Sequence, residues 1–173
     1  MKTKLRLIIY VLLILPIFLN AEIQYSQRGH FDLATIHRLS DGSIIKIPYR
    51  IITYEPALSF NNFTLVANTI IEFSLKDIND VFGSDFLFDI REFYLEWMTS
   101  LGDFSFGKQI FSWGSTDGNS PADNLNANDY YYLFSSGADQ KIGAFSFAGN
   151  FYLGSWKFGL AVSPVHNTNH LPM

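Results

Sequence analysis

Residues 62–76 read NFTLVANTIIEFSLK, and their alternation decides the fold class. Phe63, Leu65, Ala67, Thr69, Ile71, Phe73 and Leu75 share one parity; Thr64, Val66, Asn68, Ile70, Glu72, Ser74 and Lys76 share the other. The first set is apolar for 13 residues, and the second turns polar towards its end. Period-2 alternation marks a strand with two different faces. A helix would need apolar residues at i, i+3, i+4 and i+7, and this stretch lacks that pattern.

The same period recurs on both sides. Phe86–Thr99 sets Phe93, Leu95 and Trp97 against Glu92, Tyr94 and Glu96, although Asp89 and Arg91 share parity with Phe93. Phe104–Trp113, Lys141–Tyr152 and Trp156–Ser163 follow. Ile23–His37 and Lys46–Phe60 are weaker strands, the second kept irregular by Pro48 and Pro56, because proline cannot donate to a ladder. Only Asp77–Phe82 has a short helical look. The chain therefore reads as an all-β meander of about seven strands.

The connections alternate in length. Short turns at Asn61-Asn62, Ser100–Asp103 and Leu153–Ser155 interleave with long connections at Arg38–Ile45, Lys76–Asp85 and Gly114–Gln140. Strict short–long alternation characterises up-and-down transmembrane barrels, with short periplasmic turns and long outer loops. Several strands also reach the 9–11 residues that cross a bilayer at a tilt. Tyr152, Trp156, Trp97 and Phe104 are placed to form interfacial girdles. The competing reading is a soluble exported β-sandwich that binds carbohydrate or a protein partner through the Asp/Asn-rich loop 114–129.

Composition narrows the class. The 173 residues carry 17% aromatic and only 16% charged side chains, with a net charge of −4 and no cysteine. This excludes a disulfide scaffold and a cysteine-ligated metal site. It speaks against disorder and against a nucleic-acid partner, which would need a basic surface. The first 21 residues have Lys2, Lys4 and Arg6, then an apolar run Leu7–Leu19, then Leu19-Asn20-Ala21. That order is a secretory signal; the run is too short to span a bilayer and Pro16 interrupts it. The predicted domains are thus a signal peptide, 1–21, and a partial β-barrel domain, 22–173. Cleavage lowers the basic residues from 12 to 9 against 16 acidic, a net charge of −7.

A second decisive stretch is Gly107–Gly114, GKQIFSWG, running into a loop with Asp117-Gly118, Pro121, Asp123-Asn124-Leu125 and Asp129. A strand ending G-[RK]-Q-x-x-x-W-G, followed by D-G-x-x-P-x-D-N-L-x-x-x-D, resembles a largely uncharacterised family of porin-like Gram-negative outer-membrane β-barrel proteins. Arg91–Glu96, REFYLE, also resembles the strand preceding it in that family. The likeness spans about residues 86–172. It implies an outer-membrane barrel passing small solutes, seated in outer-membrane lipid by the insertion machinery. It names no solute and no oligomeric state.

Candidate site residues follow from these readings. Glu92, Tyr94, Glu96 and Gln109 are candidate lumen-lining residues, since carboxylates facing a pore favour cations. Trp113, Asp117, Asp123, Asn124 and Asp129 belong to a candidate constriction or recognition loop, because long strandless loops are usually functional or disordered. The oxygens of the Asp/Asn cluster would suit calcium, but the spacing does not fit an EF-hand and Asx-turns explain it better. Lys108 shares parity with Phe104 and Phe106, so either a bulge near Gly107 turns it inward or it snorkels from a strand end. Glu92 and Glu96 lie about 13 Å apart on a strand, too far for a glycosidase pair. His166 and His170 have zinc-like spacing only on a helix, which Pro164 and Pro172 oppose. No metal, cofactor or enzymatic activity is expected. Bacterial barrels have even strand numbers, so seven strands are expected to be the N-terminal part of a longer barrel or the product of a truncated reading frame.

Overall fold

In the computed structural model, residues 23–33, 36–45, 48–74, 86–112, 124–132 and 137–171 are described. The signal segment, Asp77–Phe82, and the loop residues Trp113, Asp117 and Asp123 lie outside them. The chain forms one antiparallel sheet in sequence order: β1 (Ile23–Phe31), β2 (Pro48–Phe60), β3 (Phe63–Ser74), β4 (Phe86–Thr99), β5 (Gly102–Gln109), β6 (Ala144–Leu153) and β7 (Trp156–Val162). The sheet is open, with β1 and β7 as its edges. Among the described residues no helix is long and apolar enough to cross a membrane.

Three connections are tight for local reasons. Asn61 takes φ 50° and Gly154 φ 58°, the left-handed conformation that Asn and Gly tolerate best. At the third, the Thr99 hydroxyl accepts from the N–H groups of Leu101 and Gly102 at 3.2 and 3.1 Å.

β2 is more regular than its prolines predicted, running 13 residues. Pro56 pairs with Gln27 of β1 and falls in a gap of the β2–β3 register between Tyr54↔Thr69 and Ala57↔Val66. The missing N–H is thus accommodated where the ladder is already interrupted. β1 and β5 are shorter than expected, ending at Phe31 and Gln109. Beyond Gln109, side chains replace the ladder: the Ile110 N–H donates to Glu92 at 2.9 Å and the Phe111 N–H to Asn126 at 2.7 Å.

Two register shifts repair the faces. The β2–β3 pairing passes from Arg50↔Glu72 to Ile52↔Ile71, leaving Ile51 extra. The β3–β4 pairing passes from Asn68↔Glu92 to Thr69↔Ile90, leaving Arg91 extra. Each bulge changes which side chains share a face. Phe86, Phe88 and Ile90 therefore line up with Phe93, Leu95 and Trp97, although their sequence parity differs. The apparent parity of Asp89 and Arg91 with Phe93 is corrected by the same bulge.

The result is a sheet with one apolar and one polar face. The apolar face carries Tyr49, Ile52, Tyr54, Leu58 and Phe60 of β2, Phe63, Leu65, Ala67, Ile71 and Phe73 of β3, and the six β4 residues named above. It continues with Phe104 and Phe106, then Phe145, Phe147 and Phe151, then Trp156, Phe158, Leu160 and Val162. Phe93 is 51% exposed, Phe106 54% and Phe158 54%. Among the described residues the buried apolar side chains are Ile70, Ala127, Tyr132 and Ala144, all on the other face or in the connection that covers it.

Rings cross the strands in two rows. Near the short turns, Phe60, Phe63, Trp97, Phe104 and Phe151 touch in succession at 5.2–5.9 Å between centroids. Near the long connections, Tyr49, Phe73 and Phe86 do so at 5.8 and 4.8 Å. Of the expected girdle residues, Trp97 and Phe104 join the first row, and Trp156 stacks on Phe158 at 6.3 Å. Tyr152 does not join a row: its register turns it to the polar face, where its hydroxyl donates to Asp103 at 2.7 Å.

Candidate functional site

The polar face is not bare. The described part of the connection between β5 and β6 lies against it. Its base is pinned by Asn126, which is buried and makes three bonds to main chain. Its Nδ2 donates to the carbonyls of Gln109 and Ile142 at 2.9 Å each, and its Oδ1 accepts from Phe111. The buried Lys141 ammonium donates to the Phe111 carbonyl at 2.9 Å. Asn126→Ala strands three backbone groups at once. We expect a loss of about 2–4 kcal/mol in local stability, read as faster hydrogen exchange of Phe111 and Ile142.

Further along, the 3₁₀ turn Gly137–Gln140 is clasped to the sheet. Arg50 Nη1 and Arg91 Nη1 both donate to one oxygen, Oδ1 of Asp139, at 3.3 and 3.2 Å. Arg91 Nη2 also donates to the Ala138 and Lys141 carbonyls at 2.6 and 3.3 Å. Both guanidiniums are withdrawn from water, at 11% and 7% side-chain exposure. Arg50 lies 3.8 Å over the ring of Tyr132, a cation–π contact. Burial, and then the nearby Glu72, raise the Tyr132 phenol above its ordinary pKa. The two bulges account for the clasp, since each adjoins one of these arginines.

The sequence-derived residues fall as follows. Glu92, Tyr94 and Glu96 lie on the polar face, where Glu92 holds the first residue past β5. Gln109 shares that face but is 4% exposed beneath the connection, bonded to Ser105 and Ser146. Asn124 is exposed. Asp129 shapes backbone, its Oδ1 accepting from the Tyr131 N–H at 3.1 Å, which is the Asx-turn role. Asp129 also lies 3.7 Å from His170. Among the described residues no group of three ligating side chains stands close enough to hold a metal.

No bulge at Gly107 turns Lys108. Register is unbroken through Gly107 and Lys108, although Gly107 adopts φ 140° and a Cβ there would stand 2.3 Å from the Phe93 carbonyl. β4 runs on past the last β4–β5 pair, and Lys108 bends around this step. Its ammonium donates to the Ile90 carbonyl at 2.5 Å and lies 3.6 Å from Asp89.

Sequence reading does not single out Arg50, Asp139 or Lys141, and it gives Arg91, Asn126 and Tyr132 no part in a clasp. The available signal was Arg91 breaking an apolar parity, which is how a bulge looks in one dimension. Comparison with protein-family models, curated proteins and solved structures finds no match to this chain.

Proposed function

We propose that this chain forms part of the wall of an outer-membrane β-barrel through which small solutes pass, with its β5–β6 connection folded inside as a constriction. The single observation that carries this is the inversion of the sheet: large apolar side chains stand exposed on one face, and polar side chains and a packed connection occupy the other. Contiguous apolar surface of this extent marks contact with lipid or another apolar surface. A lipid-facing exterior and polar interior is the pattern of transmembrane barrels.

Two further features support the reading. Phe63 and Phe73 of β3 belong to the two aromatic rows and are ten residues apart. That is about 33 Å along a strand, or about 25 Å in height at a tilt of ~40°, which matches the apolar band of such barrels. The long connections also leave from one end of the sheet and the tight turns from the other. The likeness to porin-like Gram-negative proteins points the same way.

In this reading further strands complete the ring. β1 and β7 run in the same direction, so antiparallel closure takes an odd number of added strands. A second copy in the same membrane orientation would present the same direction and make a parallel seam. Backbone edges left open in lipid are not viable.

Detergent-extracted protein is expected in the outer-membrane fraction, with heat-modifiable gel migration and stepwise conductance in planar bilayers. Recovery of folded protein from the soluble fraction would refute the membrane reading; a folded membrane form without conductance would refute solute passage.

A further inference from the structure

We infer that the space between the clasped connection and the wall binds a small organic acid, its oxyanion on Arg50 and its short apolar body against Ile70, Leu87 and Ile142. A cavity of about 740 Å³ opens there, lined by these residues together with Arg91, Lys108 and Lys141. That volume is typical of small-molecule sites. The lining carboxylates are Glu72, Asp89 and Asp129. Asp89 faces Lys108, Asp129 faces His170, and Glu72 is the register partner of Arg50.

Arg50 distinguishes the site. Arg91 spends its donors on Asp139 and two main-chain carbonyls. Arg50 shares the same Asp139 oxygen through one long bond, and its Nε is buried with no hydrogen-bond partner. A desolvated guanidinium with an unmet Nε donor is costly unless an acceptor meets it. Its planar fork suits the two oxygens of a carboxylate. The apolar side chains in the same lining favour an acid with a hydrocarbon body over a bare inorganic anion.

The inference takes from the proposed function only the seat of the connection on the polar face. Titration of the folded full chain reads binding whether or not a pore conducts. We expect saturable hexanoate binding by calorimetry in nanodiscs, about tenfold tighter than acetate or inorganic phosphate. Hexanamide, which lacks the charge, should not bind. Arg50→Gln should weaken hexanoate about tenfold or more. Leu87→Asn, which keeps both arginines, should reduce hexanoate to the affinity of acetate while heat-modifiable migration is unchanged. Equal binding of hexanoate and hexanamide, equal binding of hexanoate and phosphate, or an Arg50→Gln chain that binds as the parent does would each overturn the assignment.

Discussion

Ala67→Arg is expected to deplete the folded protein from the membrane fraction, while Val66→Arg, one residue earlier, leaves it there. Ala67 stands on the apolar face, between the Phe63 and Phe73 ends of β3 and opposite Phe93 of β4. In the proposed bilayer this is near mid-depth, where an arginine costs about 2–4 kcal/mol. It is also too far from either aromatic row for the side chain to reach the interface easily. Val66 faces the other way and pairs with Tyr94, whose neighbours include the carboxylates of Glu96, Glu92 and Glu55. An arginine there meets water and opposite charge. A soluble sheet would give the reverse result, because a charge on an exposed apolar face improves solubility. The measurement is the heat-modifiable fraction of each variant after outer-membrane extraction.

Asp139→Ala is expected to release the connection from the sheet. It removes the one carboxylate that two withdrawn guanidiniums share. Breaking a buried ion pair from one side costs about 3–5 kcal/mol. Here about 2–3 kcal/mol is expected, because Asp139 is itself 58% exposed and part of its interaction is screened by water. Arg91 retains its bonds to the Ala138 and Lys141 carbonyls, so the turn should loosen rather than unfold. The readout is protease cleavage near Gly137–Gln140, faster in Asp139→Ala and near the parent rate in Asp139→Glu. In the conducting protein, larger or noisier current steps should accompany it.

The meander was legible because alternation is local: residues 62–76 and 86–99 each display two faces without reference to neighbours. The tight turns were legible for the same reason, since Asn61, Gly102 and Gly154 carry their own conformational signal. The clasp was not. Arg50 and Arg91 lie 41 positions apart, and Asp139 lies 48 beyond Arg91. Only the register through β3 and the seat of the connection bring the three together. The bulges were hidden because one extra residue changes parity, and a parity change resembles a charged residue on the wrong face. The fate of Gln109 was hidden too: its strand parity was readable, but the cover provided by Asn126 and Lys141 is a tertiary fact.

The most direct test of the central claim is a spin-label scan along β4 in bilayers, one cysteine at a time. The chain has no native cysteine to interfere. Accessibility to oxygen, which concentrates in lipid, is compared with accessibility to a water-soluble nickel chelate. Oxygen should dominate at Phe86, Phe88, Ile90, Phe93, Leu95 and Trp97, and the nickel chelate at Glu96 and Asp89, with the alternation slipping by one residue at Arg91. Uniform accessibility to the nickel chelate along β4, or an alternation that runs through Arg91 without the slip, would contradict a bulged wall strand with lipid on one side and water on the other.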